Sequence, residues 1–173
     1  MKLSIRNITY GAVIAAIYIV LTYIVNLFGL ANGAVQVRLS EALTILPYFT
    51  ASAIPGLFIG CLLSNVLTGC ALPDIIFGSL ATLIGAIVTY YLGRHRSEKT
   101  LFGHSVSEYL APVPAILSNT LIIPFVLKYA YGIVPLWFSF VTVFAGEVIS
   151  CGILGLVLLF ALKRYPGLFH DAS

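Results

Sequence analysis

The chain has 173 residues, of which 60% are hydrophobic and only 9% are charged, and its mean hydropathy is +1.06. Soluble domains carry about 25% charged residues, so this composition excludes a soluble globular protein and indicates an integral membrane protein. The net charge of +3 is no sign of nucleic-acid binding, because the basic residues lie at the flanks of apolar segments.

The first apolar segment, residues 8–29, reads ITYGAVIAAIYIVLTYIVNLFG. It is longer than the hydrophobic region of a signal peptide and has no convincing cleavage site, so we interpret it as a retained membrane helix. Gly11 and Ala15 are four residues apart, and so are Ala12 and Ala16. Small residues at this spacing let another helix approach closely, but the spacing does not say whether that helix belongs to this chain or to a partner.

The next segments carry polar residues near one end of the bundle. The second helix is short, since about 12 residues span only about 18 Å of a hydrocarbon core about 30 Å thick. Arg38 and Glu41 lie at its start, Asn65 lies near the end of the third helix, and Asp74 opens the fourth. Arg38 and Glu41 could contact a ligand or form an ion pair with each other on the helix. Asp74 could contact a ligand or stabilise the N-terminus of the fourth helix.

The last two segments place Asn119 and Glu147 at one depth. Each lies about 12 residues from the same end of its helix, or about 18 Å into the membrane. An ionised glutamate there costs about 2.5 kcal/mol or more, so Glu147 should face protein or water, pair with another group, or stay protonated. Two interpretations stay open for this pair, contact with a ligand and a structural hydrogen bond between helices.

Three basic clusters set the topology: Lys2 with Arg6, Arg94 with Arg96 and Lys99, and Lys163 with Arg164. Positive residues favour the cytoplasmic side, and three clusters on that side require an even number of spans between each pair. We therefore predict an all-α integral membrane protein with six transmembrane helices, cytoplasmic termini and its non-flanking charges in the outer half. It forms one domain, 1–173, with helices at roughly 8–29, 39–51, 54–70, 74–92, 109–131 and 135–162 and a cytoplasmic loop at 93–108.

Enzymatic and metal-binding motifs are missing from the sequence. It has no Walker lysine loop, no HExxH and no GxSxG, so we expect neither catalysis nor ATP hydrolysis by this chain. Cys61, Cys70 and Cys151 lack metal-ligand spacing and are interpreted as small apolar residues. We expect no cofactor and no metal.

Three stretches resemble the QueT family of queuosine-precursor transporters: VQVRLSEALTILPYF (35–49), NVLTGCALPDIIFGSLATLIGA (65–86) and FAGEVISCGILG (144–155). Members of that family are substrate-binding S components of energy-coupling factor (ECF) transporters. The resemblance implies an S-component-like six-helix bundle in the bacterial plasma membrane, with an outward cavity capped by the loop between helices 1 and 2. It also implies that Ala12 and Ala16 match the Ala-x-x-x-Ala motif that docks on a membrane coupling subunit carrying two ATPases. Such a subunit delivers its substrate by toppling in the membrane.

The implied substrate is a 7-deazaguanine: preQ0, preQ1 or the free base queuine. Under this resemblance Glu147 accepts hydrogen bonds from the N1–H and 2-amino edge. Asn119 reads the ring carbonyl or a pyrrole nitrogen, and Arg38 donates to the same carbonyl or holds Glu41 in place. Glu41 or Asp74 pairs with the amine of preQ1 or queuine, and Asn65 belongs to the same site. Three alternatives stay open: an S component for another vitamin, a solitary proton-coupled carrier, and a structural protein without a ligand.

Overall fold

Four helical stretches of the computed structural model are long and apolar enough to cross a membrane. They are Ile5–Leu27, Leu72–Arg94, Val106–Tyr131 and Leu136–Lys163, and Ala53–Leu67 is a shorter apolar helix. The structure describes residues 5–29, 38–95 and 97–165. The prediction of an all-α membrane protein is therefore confirmed, whereas only four of the six predicted segments are long enough to span as single helices.

The described residues form the following elements: α1 Ile5–Leu27, a 3₁₀ helix Leu39–Tyr48, α2 Ala53–Leu67, α3 Leu72–Arg94, α4 Val106–Leu110, α5 Val113–Tyr131, α6 Leu136–Glu147, a π-helix Val148–Leu154 and α7 Gly155–Lys163. Within the predicted loop 93–108, strands β1 (Thr100–Leu101) and β2 (His104–Ser105) form a short antiparallel hairpin. Proline stands in the first turn of α3 and of α5, where its missing N–H is harmless. Gly132 ends α5 in a left-handed conformation with φ 69°.

The 3₁₀ helix lies at the centre of the bundle. Eight of its ten residues are buried, and it contacts α1, α2, α3, α7 and the π-helix. At about 2.0 Å per residue it extends about 20 Å, compared with about 15 Å for an α-helix of the same length. The sequence predicted an α-helix here, and the structure corrects the type. Surrounding helices shield its irregular backbone from lipid, which is the condition for such a segment inside a membrane.

Helices α1 and α2 pack against each other through glycine. A Cβ on Gly56 would lie 2.6 Å from the Gly11 carbonyl oxygen, and a Cβ on Gly60 would lie 2.9 Å from the Tyr18 Cβ. Both distances are shorter than van der Waals contact, so only glycine permits this approach. Gly11 and Ala15 are buried in the bundle, whereas Ala12 and Ala16 are exposed on the opposite face of α1.

The two ends of the bundle differ in chemistry. We call the end with Arg94, Lys163 and the hairpin the basic end; there Lys163 Nζ contacts both Glu108 carboxylate oxygens at 2.8 Å. We call the opposite end, with Asp74 and Tyr131, the site end. At that end the Tyr131 hydroxyl donates to Asp74 Oδ2 at 3.1 Å, which ties the end of α5 to the start of α3. Two members of the predicted basic clusters, Lys2 and Arg96, lie outside the described residues.

Candidate functional site

Polar side chains from distant parts of the chain converge on one cavity of about 20 Å³ inside the bundle. Its described lining comes from the start of the 3₁₀ helix and from α3, α5 and α6: Arg38, Glu41, Gly78, Thr82, Asn119, Ile123, Val143 and Glu147. Four of the six predicted polar residues line this cavity, and the other two, Asn65 and Asp74, contact Arg38. The structure therefore brings all six together.

Arg38 organises the side of the cavity nearest the site end. Its Nη1 donates to Asn65 Oδ1 at 3.1 Å, and its Nη2 lies 3.9 Å from Asp74 Oδ2. Asp74 is in the first turn of α3, as expected for a residue that stabilises a helix N-terminus. It also pairs with the Arg38 guanidinium. Both side chains are buried, with exposed fractions of 8% for Arg38 and 1% for Asp74.

Glu41 is fixed by a tyrosine that the sequence analysis did not identify. The Tyr18 hydroxyl donates a hydrogen bond to Glu41 Oε1, and the Asn119 amide lies close to the same carboxylate. The second carboxylate oxygen, Oε2, is buried and accepts no hydrogen bond from any described residue. One oxygen of Glu41 is thus positioned by the fold and the other is left for a further donor.

Glu147 lies beside the cavity and is also bonded to a neighbouring helix. Asn119 Nδ2 donates to Glu147 Oε1 at 3.0 Å, and Cys151 Sγ donates to Glu147 Oε2 at 3.0 Å. Glu147 thus makes the hydrogen bond between helices that the structural interpretation predicts. It also adjoins a cavity, as the interpretation of ligand contact predicts. Each carboxylate oxygen has two lone pairs, so both oxygens keep capacity for a ligand donor.

The π-helix explains how Glu147 and Cys151 come to face the 3₁₀ helix. Glu147 is the last residue of α6, and the π-helix begins at Val148. Cys151 reaches the Glu41 carbonyl oxygen at 3.4 Å and receives the Thr44 hydroxyl at 3.4 Å. Such π-helical insertions occur frequently at functional sites.

Two site residues were missed although the sequence held a signal for each. Cys151 follows Glu147 by four residues, which places both on one helical face. Tyr18 follows Ile14 by four residues and Gly11 by seven, on the buried face of α1. A hydroxyl on that face has to find a partner, and in the structure this partner is Glu41.

A cation could be held at one point of the cavity wall. Glu41, Glu147 and Cys151 bring one ligand atom each to within 4.8 Å of one another. Structural zinc sites use four protein ligands, and the described residues here supply three. The absence of a metal therefore stays a prediction, while the excess of carboxylates identifies a site that attracts hydrogen-bond donors and positive charge.

The loop expected to cap the cavity, residues 30–37, lies outside the described residues. Ala12 and Ala16, the expected docking residues, do not line the cavity and stand on the outer face of α1. The structure thus separates the expected docking residues from the polar site.

Comparisons with known proteins agree with one another. A family model described as QueT transporter matches residues 8–164. The queuosine precursor transporter QueT of Lactococcus lactis subsp. cremoris (strain MG1363) is 37% identical over 83 residues, which are 48% of this chain and 48% of that protein. The chain thus spans about half the length of the curated relative it matches. No solved structure matches the chain.

Proposed function

The chain belongs to the QueT transporter family, and we propose that it is the substrate-binding S component of an ECF importer for a 7-deazaguanine queuosine precursor. Transport by a multi-pass membrane protein is the activity of that family. The observation that carries the finer proposal is that four polar side chains line one cavity within an apolar bundle, and two more contact Arg38 in its wall. Burying such groups is costly, and a ligand with several hydrogen-bond donors and acceptors would offset that cost.

The chemistry of a 7-deazaguanine suits this lining. Its N1–H and 2-amino group are parallel donors for the Glu147 carboxylate, and its ring carbonyl is an acceptor for Arg38 or Asn119. A buried site made of such partners rejects analogues that leave one of them unpaired. In the proposed site Glu147 reads the donor edge, Arg38 and Asn119 read the carbonyl, and Asn65 holds Arg38 in place.

The cavity must open before such a ligand enters. Its volume of about 20 Å³ is enough for about one water molecule and too small for a bicyclic base. Entry from the site end requires the Arg38–Asp74 and Tyr131–Asp74 contacts to separate, because these contacts close the bundle there. We propose that the structure corresponds to the closed form of the subunit.

The charge distribution supports an orientation with the site end outside the cell. Arg94, Lys163 and Arg164 lie at or next to the basic end, which the positive-inside rule assigns to the cytoplasm. In this proposal both termini are cytoplasmic and six segments cross the membrane, with the 3₁₀ helix inside the other helices. Exposed Ala12 and Ala16 dock on the coupling subunit, whose two ATPases supply the energy for toppling.

A binding assay tests the substrate class. Purified protein should bind preQ0, preQ1 or queuine, and Glu147→Gln should weaken binding roughly 10-fold or more, because a hydrogen bond to a charged group is worth about 1.5–3 kcal/mol. Glu98→Gln, at an exposed loop position, is the matched control and should bind like the original protein. Unchanged affinity in Glu147→Gln would show that this carboxylate does not read the base.

A proton-coupled carrier is the second candidate function. The observation that favours it is the proximity of Glu41 and Glu147, whose ligand atoms lie within 4.8 Å, since paired acids inside a membrane are typical of proton relays. Uptake into proteoliposomes separates the two functions. An imposed pH gradient should drive no uptake by the isolated chain if an ATPase-linked partner supplies the energy, and accumulation under the gradient alone would favour the carrier.

A further inference from the structure

The site contains more acidic than basic groups. Glu41 and Glu147 line the cavity together with Arg38, and Asp74 lies 3.9 Å from Arg38, which is the one cation among the described residues that line the cavity. We propose that the site selects 7-deazaguanines whose 7-substituent ends in a protonated amine, and that Asp74 Oδ1 accepts a hydrogen bond from that ammonium group. This inference rests on the function proposed above and names the preferred members of the substrate class.

Two buried carboxylate oxygens have no hydrogen-bond partner among the described residues: Glu41 Oε2 and Asp74 Oδ1. The exposed fractions of these residues are 2% and 1%, so both side chains are shielded from bulk solvent. A buried acceptor without a donor costs free energy, and orphaned acceptors of this kind are rare in folded proteins. Two unfilled acceptors next to one cavity indicate a ligand that brings at least two donors.

Asp74 Oδ1 lies next to a cavity-lining glycine, Gly78, although Asp74 itself is not among the residues that line the cavity. Gly78 lines the cavity, and a Cβ at this position would lie 3.2 Å from Asp74 Oδ1 and 3.2 Å from Asn65 Nδ2. An alanine methyl group would therefore stand between the cavity and the carboxylate oxygen. The absence of a side chain at Gly78 leaves space at the place where a donor must approach Asp74.

The geometry of the base assigns the two open acceptors to different donors. In a 7-aminomethyl-7-deazaguanine the aminomethyl group lies beside the ring carbonyl, and the N1–H and 2-amino groups follow along the edge. Asp74 is the carboxylate next to Arg38, the proposed carbonyl donor, at 3.9 Å. Glu41 is the carboxylate next to Glu147, the proposed reader of the donor edge, within 4.8 Å. Asp74 therefore suits the ammonium group, and Glu41 Oε2 suits the 2-amino group.

Charge balance points the same way. Three carboxyl groups and one guanidinium meet at this site, so the carboxyl groups outnumber the cation by two. Buried charges are tolerated when they are paired. A ligand ammonium offsets half of that excess, whereas a neutral nitrile at the same position offsets none.

The test compares three ligands that share the base edge. They are the 7-aminomethyl base (preQ1), the neutral 7-cyano base (preQ0) and the uncharged 7-hydroxymethyl analogue, with dissociation constants measured on the purified full chain. The aminomethyl base should bind about 10- to 100-fold more tightly than the cyano base, as expected for one charge-assisted hydrogen bond. The hydroxymethyl analogue donates a hydrogen bond without carrying charge, so its affinity should lie closer to that of the cyano base.

Three variants locate the ammonium acceptor. Asp74→Asn should remove most of the preference for the aminomethyl base, so that the ratio of its affinity to the affinity of the cyano base falls towards one. Gly78→Ala should do the same with all charges retained, which covers the case in which Asp74→Asn fails to fold. Glu41→Gln is the matched control and should weaken all three ligands to a similar extent, because it acts on the edge that they share.

Two outcomes would overturn the inference. One is a cyano base that binds as tightly as the aminomethyl base, and the other is a ratio that neither Asp74→Asn nor Gly78→Ala changes. A ratio that collapses only in Glu41→Gln would likewise overturn the assignment to Asp74. Failure of all three bases to bind the original protein would instead contradict the proposed function.

Discussion

Glu147 illustrates how an apolar bundle holds a half-buried acid. The sequence predicted its depth and the matching depth of Asn119, and the two side chains meet at 3.0 Å. The two residues could be matched from the sequence because a regular helix converts residue number into distance along its axis, at about 1.5 Å per residue. Their depth in a membrane stays a prediction. The rise per residue did not predict that Tyr18 and Cys151 belong to the site. Their contacts with Glu41 and Glu147 depend on how the helices rotate about their own axes.

Tyr18 is the residue on which the position of Glu41 depends. Its side chain is fully buried, and its hydroxyl donates to Glu41 Oε1. Tyr18→Phe keeps the ring and removes this donor, so Glu41 Oε1 loses the hydrogen bond that positions it. We expect the variant to lose about 1–3 kcal/mol of stability and to bind substrate more weakly, measured as a lower melting temperature and a higher dissociation constant.

The control for this change is Tyr129→Phe, because the Tyr129 side chain is 78% exposed. It removes the same atom from the surface of α5 and should alter neither quantity. A Tyr18→Phe protein that melts and binds like the original would show that the hydrogen bond from Tyr18 does not position Glu41.

Two elements could not be predicted in type from the sequence. The 3₁₀ helix Leu39–Tyr48 and the π-helix Val148–Leu154 have apolar patterns that an α-helix would share, and periodicity cannot separate these forms over ten residues or fewer. Their geometry comes from packing. The 3₁₀ helix is enclosed by five neighbouring elements, and the π-helix turns Cys151 towards Glu41 and Thr44.

Leucine substitutions next to the two faces of α1 should have opposite effects. One is at Gly60 of α2, which packs against the inner face, and the other is at Ala12 and Ala16 on the outer face. On the inner face, Gly60 of α2 meets Ala15 and Tyr18, and a Cβ there would lie 3.1 Å from the Ala15 Cα. Gly60→Leu therefore forces α1 and α2 apart and should destabilise the fold by about 1–3 kcal/mol or more, as overpacking does. Thermal unfolding in detergent and loss of substrate binding measure this effect.

On the outer face, the paired change Ala12→Leu and Ala16→Leu adds bulk where both residues are exposed. We expect an unchanged melting temperature and unchanged substrate binding, with loss of transport and of co-purification with the coupling subunit. If this double variant unfolds as readily as Gly60→Leu, the outer face serves packing within the bundle and the docking proposal is wrong.

At the scale of the whole molecule, charge distribution predicted more than local pattern did. The count of apolar segments and the placement of basic residues gave six helical segments with Arg38, Glu41 and Asp74 at one end, and the structure brings these three together. What the sequence did not provide was the size of the cavity, because a closed volume of about 20 Å³ results from the packing of four separate elements. The affinity for any ligand depends on how much of that packing opens.

The orientation of the molecule gives a prediction that does not depend on the substrate. The basic end carries Arg94 and Lys163 and should face the cytoplasm, so the turn of the hairpin lies inside and the connection from α5 to α6 lies outside. Phe102 in that turn is 89% exposed, and Val134 in that connection is 69% exposed. Single cysteines at these two positions therefore report opposite sides of the membrane.

The experiment labels intact cells with a membrane-impermeant maleimide. Cys61 and Cys151 are buried, whereas Cys70 is half-buried, so Cys70→Ser provides a background of low reactivity. In that background Val134→Cys should react in intact cells, and Phe102→Cys should react only after the cells are permeabilised. Labelling of Phe102→Cys in intact cells would place the basic end outside, and the cavity would then open towards the cytoplasm, where it could not capture a base arriving from the medium.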